Sequence, residues 1–537
     1  MDATLRGHTR VTPSASECQH QLQVSLGPCT FSDQSLDVSQ WVQHIWGLKE
    51  DEVAKVLHHT RNWKLNESAL EKYDDILLGD HTEPELYAQF QIICEDILQR
   101  LSESTTLKFK PKVGSENDRI KRHKLWGVTL FPVEMAKTKP PSEGKKAVSC
   151  ERSTCNHYTM KDAQLGTYVL ECFLANYRMF VTALSVNNYD ITLWYYDSMG
   201  ALRSIPFNFL EDPSCLILVM HSINRCNSVQ MGFNPFTAGP APRSGRAWVW
   251  EGQRLGFTDN NGVPCNFIVT GNPLFVARQM QGRRTYTLPV RPSCHGVRRR
   301  EMVLKFQWPD PDQSLEIDLI NEILRAAPEL RNHLPRLSFH RVYDSERDLH
   351  LPRFKMGIQL DKKIVEMRNL TVTVAERCFE LWMVDSLEEF KTAFLDIFEC
   401  HHRVFVQGRV LHGDISSKNV MFYRHKDFGV VGTLHSFDES SRVDDVGEEI
   451  LSGASHRPWK DLFMAVDLLD ASVKTPCRYR HDLESFFYVL LWAGVYFDIQ
   501  THKEKPTDGL FADWDIRSEA DLTHAHDYKA QLWRNDE

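Results

Sequence analysis

A short polar loop between two apolar runs restricts the fold and chemistry of this chain more than its composition does. Residues 411–422 have the sequence LHGDISSKNVMF, so that Asp414 follows His412 by two residues and Asn419 follows Asp414 by five. A loop that transfers a phosphoryl group needs a carboxylate to accept the proton of a substrate hydroxyl and a neutral oxygen ligand for magnesium. The spacing therefore predicts Asp414 as the catalytic base and Asn419 as a metal ligand. An ordinary polar turn between a helix and a strand is the alternative for this segment taken alone.

The composition is that of a soluble globular protein, with 42% hydrophobic residues and a net charge of -9 over 537 residues. A chain of this length is expected to form two or three domains. The acidic balance predicts neither a nucleic-acid partner nor a membrane partner. The longest apolar run, 485–497, is too short to cross a bilayer and predicts a buried helix.

The cysteines and the N-terminus predict the compartment. The 13 cysteines are an odd number and contain no CxxC pair, which is typical of thiols in a reducing environment. The first residues, MDATLRGHTR, lack the apolar core of a signal peptide. We therefore expect an intracellular protein, cytoplasmic or nuclear. Cys400, His401 and His402 are adjacent, but one helix directs them differently, so no metal site is expected there.

Local patterns in the first half of the chain predict both helices and strands. Thr82 and Glu85 have the spacing of a capping box and predict the start of a helix. A strand is predicted over 125–135. Asn187 and Asn188 separate two extended runs and predict a hairpin turn.

A lysine within an apolar strand is the second chemical signal. The strand MVLKFQW contains Lys305. A lysine is rarely buried without a partner, and kinases use such a lysine to hold nucleotide phosphates while it pairs with a helix glutamate. The following helix offers Glu316 or Glu322. The turn QGRRTY, 281–286, contains Gly282, which would let backbone N–H groups approach phosphate oxygens. A surface lysine and a plain basic turn are the alternatives.

A second capping box precedes the polar loop. Ser386 and Glu389 predict the start of a long helix that leads directly into residues 411–422. Its apolar side would carry Leu387, Phe390, Phe394, Ile397 and Phe398.

Seven stretches together support a family resemblance: YDSMGALRS (196–204), MGFNPF (231–236), QGRRT, MVLKFQW, HGDISSKNVMF, LFMAVDLL (462–469) and RYRHDLESFFYVLLW (478–492). They resemble the fungal-type protein kinase family, the kinase-like domain expanded in mushroom-forming fungi. The resemblance implies an α+β, eukaryotic protein-kinase-like bilobal fold. It also implies the use of ATP and Mg2+ and the phosphorylation of serine or threonine in a protein.

Composition and the pattern of elements, taken together with the resemblance, divide the chain. A flexible arm (1–35), a helical N-terminal region (36–105) and a small mixed α/β unit (106–238) would precede the nucleotide-binding lobe. The N-lobe would cover 239–384, and the C-lobe with the C-terminal tail would cover 385–537.

The resemblance implies roles for residues on both lobes. Asp414 would be the base, Asn419 a metal ligand, and Gly282 and Lys305 nucleotide-binding residues. Glu316 would be the helix partner of Lys305.

Three further residues would support the site. His412 and Asp482 would hold the catalytic loop, Asp482 by accepting main-chain N–H bonds. Asp467 would close the activation segment, for which the acidic stretch 440–455 is the candidate.

The sequence departs from the kinase pattern at several positions. Ser436 stands where kinases carry a second metal-binding aspartate, and a hydroxyl is a weaker magnesium ligand than a carboxylate. Asp438 would supply the metal ligand by a shift in register. A literal DFG at 427–429 lies too close to the catalytic loop and is predicted to be a hairpin turn. Gly413 replaces the usual arginine, and Arg284 replaces a glycine and would crowd the nucleotide.

These observations leave three functions open. The first is an active ATP-dependent protein Ser/Thr kinase. The second is a degenerate pseudokinase that acts as a binding scaffold, which Ser436 favours. The third is a small-molecule kinase of the aminoglycoside or choline type, which the HGD sequence suggests. The sequence leaves the protein substrate and the oligomeric state open.

Overall fold

The computed structural model describes residues 36–79, 83–103, 132–136, 160–238, 249–293, 301–309, 315–356, 367–444, 447, 450, 462–469, 475–505 and 519–534. The predicted flexible arm 1–35 and the capping residue Thr82 lie outside the described residues. So do most of the predicted strand 125–135 and most of the acidic stretch 440–455.

Four helices open the described part of the chain: α1 (Val38–His44), α2 (Glu50–Thr60), α3 (Glu67–Leu78) and α4 (Glu83–Glu103). Side-chain caps fix two of their starts, because Asp37 accepts from the N–H of Gln40 and Asn66 accepts from the N–H of Ala69. The apolar residues of α4 recur at helical spacing and are buried: Leu86, Phe90, Ile93, Ile97 and Leu101.

A mixed α/β unit follows. It contains β1 (Val133–Ala136), α5 (Met160–Ala175), β2 (Phe180–Asn187), β3 (Asp190–Asp197), β4 (Gly200–Arg203), β5 (Phe207–Asn208) and α6 (Pro213–Arg225). The strands are ordered β1-β2-β3-β4, with β5 on β3 and β1 parallel to β2. The predicted turn joins β2 and β3, and Asn188 adopts the left-handed conformation (φ 54°) that asparagine tolerates well.

An eight-stranded sheet forms the next layer. Its strands are β6 (Thr237–Ala238), β7 (Arg254–Thr258), β8 (Pro264–Val269), β9 (Phe275–Val276), β10 (Tyr286–Pro292), β11 (Met302–Gln307), β12 (Leu337–Tyr343) and β13 (Leu370–Glu376). The order is β12-β13-β11-β10-β8-β7-β6, with β9 on β10. The helices α7 (Glu316–Ala326) and α8 (Pro352–Lys355) lie between these strands in the sequence. The lysine-bearing strand β11 is therefore flanked on both sides.

The remainder is mainly helical. Its helices are α9 (Leu387–Val406), α10 (Val466–Leu469), α11 (Tyr479–Tyr496) and α12 (Glu519–Arg534). Short strands complete it: β14 (Phe379–Glu380), β15 (Val410–Leu411), β16 (Val420–His425), β17 (Gly429–Leu434), β18 (Ser441–Arg442), β19 (Phe497–Asp498) and β20 (Lys503–Glu504). None of the described helices has the length and apolar character needed to cross a bilayer.

Two large cores form most of the interior of the described residues, and the second includes Ile415 of the predicted catalytic loop. The first joins the N-terminal helices, the α/β unit and the eight-stranded sheet, and Tyr177 stacks on Phe306 at 4.1 Å between ring centroids. The second joins α9, α11 and the β16–β17 hairpin. Helix α7 contributes Leu319, Ile320 and Ile323 to the second core, whereas β11, the strand before it, belongs to the first. The helix therefore connects the two.

Candidate active site

Helix α9 and strand β15 lead into the predicted catalytic loop, residues 411–422. Ser386 caps α9 by accepting from the N–H of Glu389, as the sequence predicted. Gly413 in the loop adopts φ 75°, and a Cβ there would lie 3.1 Å from the carbonyl oxygen of Glu439. The arginine usual in kinases would therefore be strained at this position, so Gly413 suits this loop.

Asp482, in the first turn of α11, holds the start of the loop. Its carboxylate accepts from the N–H groups of His412 and Gly413, both at 3.1 Å, and from His401 Nε2 at 2.9 Å. Burial opposes ionisation, but the bond from His401 and these main-chain donors keep the pKa of Asp482 below its usual value. The carboxylate therefore fixes two successive peptide units of the loop.

His412 is fully buried and neutral. Its Nδ1 accepts from the N–H of Asp414 at 3.2 Å, and its Nε2–H donates to the carbonyl of His435 at 2.9 Å. Its ring packs edge-on against Phe437, with centroids 4.9 Å apart. Burial lowers the pKa of His412 to about 4.

Asp414 is oriented by Asn419. The amide Nδ2 of Asn419 donates at 2.7 Å both to the main-chain oxygen of Asp414 and to its Oδ2. Asp414 is half-buried, and Asn419 is buried. The carboxylate thus has one oxygen held by the loop and lies at the edge of solvent. The neighbouring Lys418 is exposed, with Nζ 4.5 Å from the ring centroid of Phe275 in β9.

Lys305 lies between two carboxylates. Its Nζ donates to Glu316 Oε2 at 2.9 Å and to Asp438 Oδ2 at 2.8 Å. Burial by itself would lower the pKa of Lys305, but the two carboxylates raise it above its usual value. Glu316 also accepts from the N–H of Phe437 at 3.1 Å. Of the two glutamates that the sequence offered, the structure pairs Glu316 with the lysine.

Four side chains converge on Asp438. Besides Lys305, its Oδ2 accepts from Gln307 at 2.9 Å and from the Ser436 hydroxyl at 3.1 Å, and Arg283 Nη1 lies 4.0 Å away. Burial opposes its ionisation, but Lys305 and then Arg283 hold the pKa of Asp438 well below its usual range. Asp438 is therefore an anion in the cleft that Gln307, Glu316 and Asp438 border.

The turn 281–285 bears on two predictions. The N–H of Gly282 donates to the carbonyl of Ser198 at 2.8 Å, so this amide is engaged within the protein, and the role of Gly282 in nucleotide binding stays a prediction. The Arg284 side chain is buried and donates to the carbonyl of Arg178 at 2.8 Å, with its guanidinium 3.7 Å from the Phe173 ring centroid. It points into the α/β unit and does not crowd the cleft.

Other predicted residues lie elsewhere. Asp467 is half-exposed in α10 and bonds to Arg480, and its predicted role at the activation segment stays a prediction. Glu322 lies on α7 and forms a two-point pair with Arg442 of β18, at 2.9 and 2.7 Å. The literal DFG at 427–429 forms the turn between β16 and β17, as its spacing predicted.

A magnesium ion would find oxygen donors in Asn419 and Asp438. Magnesium is commonly held by one or two carboxylates together with substrate phosphates, so this donor set fits the metal in kind. Among the described residues, no group of three or more His, Cys, Asp or Glu could hold a metal ion. Phosphate oxygens would therefore have to complete the coordination.

Two cleft residues were not predicted from sequence. Gln307 follows Lys305 by two positions in β11, so both side chains lie on one face of the sheet. This two-residue period of a strand is the sequence signal that would have predicted Gln307 beside Lys305. Arg283 is one of two adjacent arginines in the turn, and sequence alone does not tell which of them faces the cleft.

Comparisons with known proteins give one family match and a similar solved structure. A family model described as fungal protein kinase matches residues 145–494. Among solved structures, the crystal structure of the BubR1 kinase domain is similar with a TM-score of 0.30 and 14% sequence identity, over 52% of this chain and 83% of that chain. No curated protein matches the chain.

Proposed function

Since this chain belongs to the fungal protein kinase family, we propose that it is an ATP-dependent kinase that transfers the γ-phosphate to a serine or threonine hydroxyl of a protein. The fold is α+β and kinase-like. One observation carries the proposal: a strand lysine is paired with a helix glutamate, in the same structure in which Asn419 orients a loop carboxylate and Asp482 braces the backbone of that loop.

Each side chain of the site then has a task. Asp414 accepts the proton of the substrate hydroxyl, and Asn419 keeps its carboxylate in place. Lys305 binds the α- and β-phosphates, and Glu316 orients it. Magnesium, which Asn419 and Asp438 would hold, offsets charge on the phosphates when bound. His412 and Asp482 keep the loop in one conformation, which avoids an orientation cost during transfer.

Removing the proposed base tests the proposal. Asp414→Ala is expected to lower phosphate transfer from labelled ATP to a protein acceptor by about 10²- to 10⁴-fold, the usual contribution of a general base. The half-buried carboxylate can be removed without opening either core, so we expect unchanged thermal unfolding. Asp427→Ala is the matched control, since its carboxylate is 61% exposed in the β16–β17 turn. Equal transfer by wild type and Asp414→Ala would refute the proposal.

A nucleotide-binding scaffold without turnover is the second candidate, and Ser436 favours it. This residue has φ 64°, and its hydroxyl donates to Asp438, so it adds no carboxylate for magnesium. A ligand at about 100 times its Kd stabilises the folded state by roughly 2.7 kcal/mol. We expect ATP to raise the Tm of a scaffold equally with magnesium and with a chelator.

Ser436→Asp separates the two candidates. If only the metal site has decayed, this variant gains a magnesium-dependent rise in Tm with ATP and gains transfer activity. An active wild-type enzyme would instead show a magnesium-dependent rise before any substitution. Ser436→Ala is the control, because it removes the hydroxyl without adding a charge.

A further inference from the structure

The turn 281–285 is fixed by its backbone on two sides. The N–H of Gly282 is bonded to Ser198 of the α/β unit, and the carbonyl of Arg283 accepts from the N–H of Trp308 at 2.8 Å, just beyond β11. At the base of the turn, the N–H of Ala277 donates to the carbonyl of Thr285 at 2.8 Å. The turn is therefore fixed in position relative to β11, the strand that contains Lys305.

These anchors send two adjacent arginine side chains in opposite directions. Arg284 adopts φ 44° and buries its guanidinium against Phe173 and the carbonyl of Arg178. Arg283 faces the cleft instead, with its side chain 18% exposed. The N–H of Gly282 points to Ser198 and not into the cleft. The group that the turn places in the cleft is the Arg283 side chain.

Arg283 and Lys305 converge on one acidic segment. Arg283 Nη2 lies 3.0 Å from Glu439 Oε1 and donates to the Asp438 carbonyl at 3.3 Å, while Lys305 Nζ lies 2.8 Å from the Asp438 carboxylate. Both cations are largely shielded from water, where charge-assisted bonds are strong. The carboxylates of Asp438 and Glu439 are thus paired with the two cations that would bind a polyphosphate.

We propose that Arg283 is a phosphate-binding residue of the nucleotide site, which takes the place of the glycine amides and is held by Glu439 when no nucleotide is bound. The inference rests on the proposed function, because it assumes a nucleoside triphosphate next to Lys305. A planar guanidinium suits the task, since it donates two parallel bonds to phosphate oxygens, whereas an ammonium acts as a point charge.

The test measures binding, not turnover. Dissociation constants of adenosine, ADP and ATP are measured by calorimetry for the wild type and for Arg283→Met, which keeps the length of the side chain. We expect at least a tenfold weaker Kd for ATP, a smaller loss for ADP and no change for adenosine. Arg283→Lys should recover part of the loss. Arg254→Met, on the exposed side of β7, is the control for loss of one positive charge.

The reciprocal variant tests the role of Glu439. Glu439→Gln removes the carboxylate 3.0 Å from Arg283 Nη2, while that of Asp438 stays 4.0 Å from Nη1. Because Arg283 is then held less firmly, ATP should bind more tightly than to the wild type, again with no change for adenosine. Thermal unfolding without ligand checks that both variants are folded.

The outcomes separate this inference from the proposed function. A wild type that binds ATP while Arg283→Met binds it equally or more tightly overturns the role of Arg283 and leaves the kinase proposal intact. A wild type that binds no adenine nucleotide overturns both.

Discussion

At the scale of single residues, the protonation state of His412 links the site to pH. Both ring nitrogens are engaged, with Nδ1 as an acceptor and Nε2–H as a donor, so the neutral ring satisfies both bonds. Protonation of Nδ1 would break the bond from the N–H of Asp414 and place a charge in a buried position. The loop that carries Asp414 should therefore loosen in acid.

We predict that stability falls below neutral pH partly through His412. An unfolded histidine has a pKa near 6.5, whereas burial lowers the pKa of His412 to about 4. The unfolded state therefore binds more protons within this window, so the free energy of unfolding decreases as pH falls through it. From about pH 7 to about pH 5 this group contributes a loss of about 2 kcal/mol.

Denaturant unfolding of wild type and His412→Gln at the two pH values checks the prediction. The variant should lose about 2 kcal/mol less between them. His221→Gln is the comparison variant, because burial also lowers the pKa of His221 to about 4 and His221 lies outside the site. It should reduce the pH-dependent loss of stability by a similar amount without affecting the loop. Parallel curves for wild type and His412→Gln would show that this ring is already charged or plays no part.

Sequence spacing predicted the contact that depends on one strand–helix pair. It placed the strand lysine before a helix that offers Glu316 as its partner, whereas the bond from Asn419 to Asp414 was not predicted, because Asn419 was expected as a metal ligand. It did not predict the direction of Arg283, because that direction follows from a bond between Gly282 and Ser198, which are far apart in sequence. The side chains of turn residues are oriented by tertiary contacts, and a local sequence pattern carries no information about those contacts.

At the scale of elements, helix α7 connects three parts of the site. Glu316 at its first turn holds Lys305 and the N–H of Phe437, and Glu322 pairs with Arg442 in β18. Activation segments are often ordered by phosphate groups that recruit arginines. Here Arg442, in the stretch predicted to be the activation segment, is already paired with a carboxylate, so α7 and β18 are joined without a phosphate.

We predict that Glu322→Arg frees β18 from α7 with little change in overall stability. The pair is partly exposed, at 42% for Arg442 and 34% for Glu322, so the free energy of unfolding should change by less than about 1 kcal/mol. Hydrogen exchange at the amide of Val443, which donates to the carbonyl of Arg409, should accelerate.

A charge swap distinguishes this pairing from a general charge effect. The double variant Glu322→Arg with Arg442→Glu should restore slow exchange at Val443. Glu388→Arg, in an exposed pair with Lys391 on α9, changes the net charge equally and should leave exchange at Val443 unaltered. Exchange that stays fast in the charge-swapped protein would count against the pairing.

At the scale of the whole molecule, the α/β unit and the eight-stranded sheet share one core. Tyr177 of the first unit stacks on Phe306 of the second and contacts Tyr286 edge-on at 5.5 Å. The sequence placed a boundary between residues 238 and 239 because the pattern of elements changes there. Apolar periodicity shows that a strand has a buried face, but it does not show which other face will cover it.

A buried ion pair gives the last prediction, on how firmly these parts are joined. Arg353 in α8 donates through Nε and Nη2 to both carboxylate oxygens of Asp197 at 2.8 Å, and both side chains are 0% exposed. Removing one partner leaves an uncompensated buried charge, so Asp197→Asn or Arg353→Met alone should lower the free energy of unfolding by about 3–5 kcal/mol. The double variant should be less destabilised than the sum of the two, because neither charge remains.

Urea unfolding followed by tryptophan fluorescence measures the free energy of unfolding of the two single variants and the double variant. Arg377→Met, in the exposed pair with Glu301, is the control and should change the free energy of unfolding by less than about 1 kcal/mol. Additive losses in the double variant would mean that the two charges do not interact, and that hydrophobic contacts such as Tyr177 with Phe306 join the two units without help from this pair.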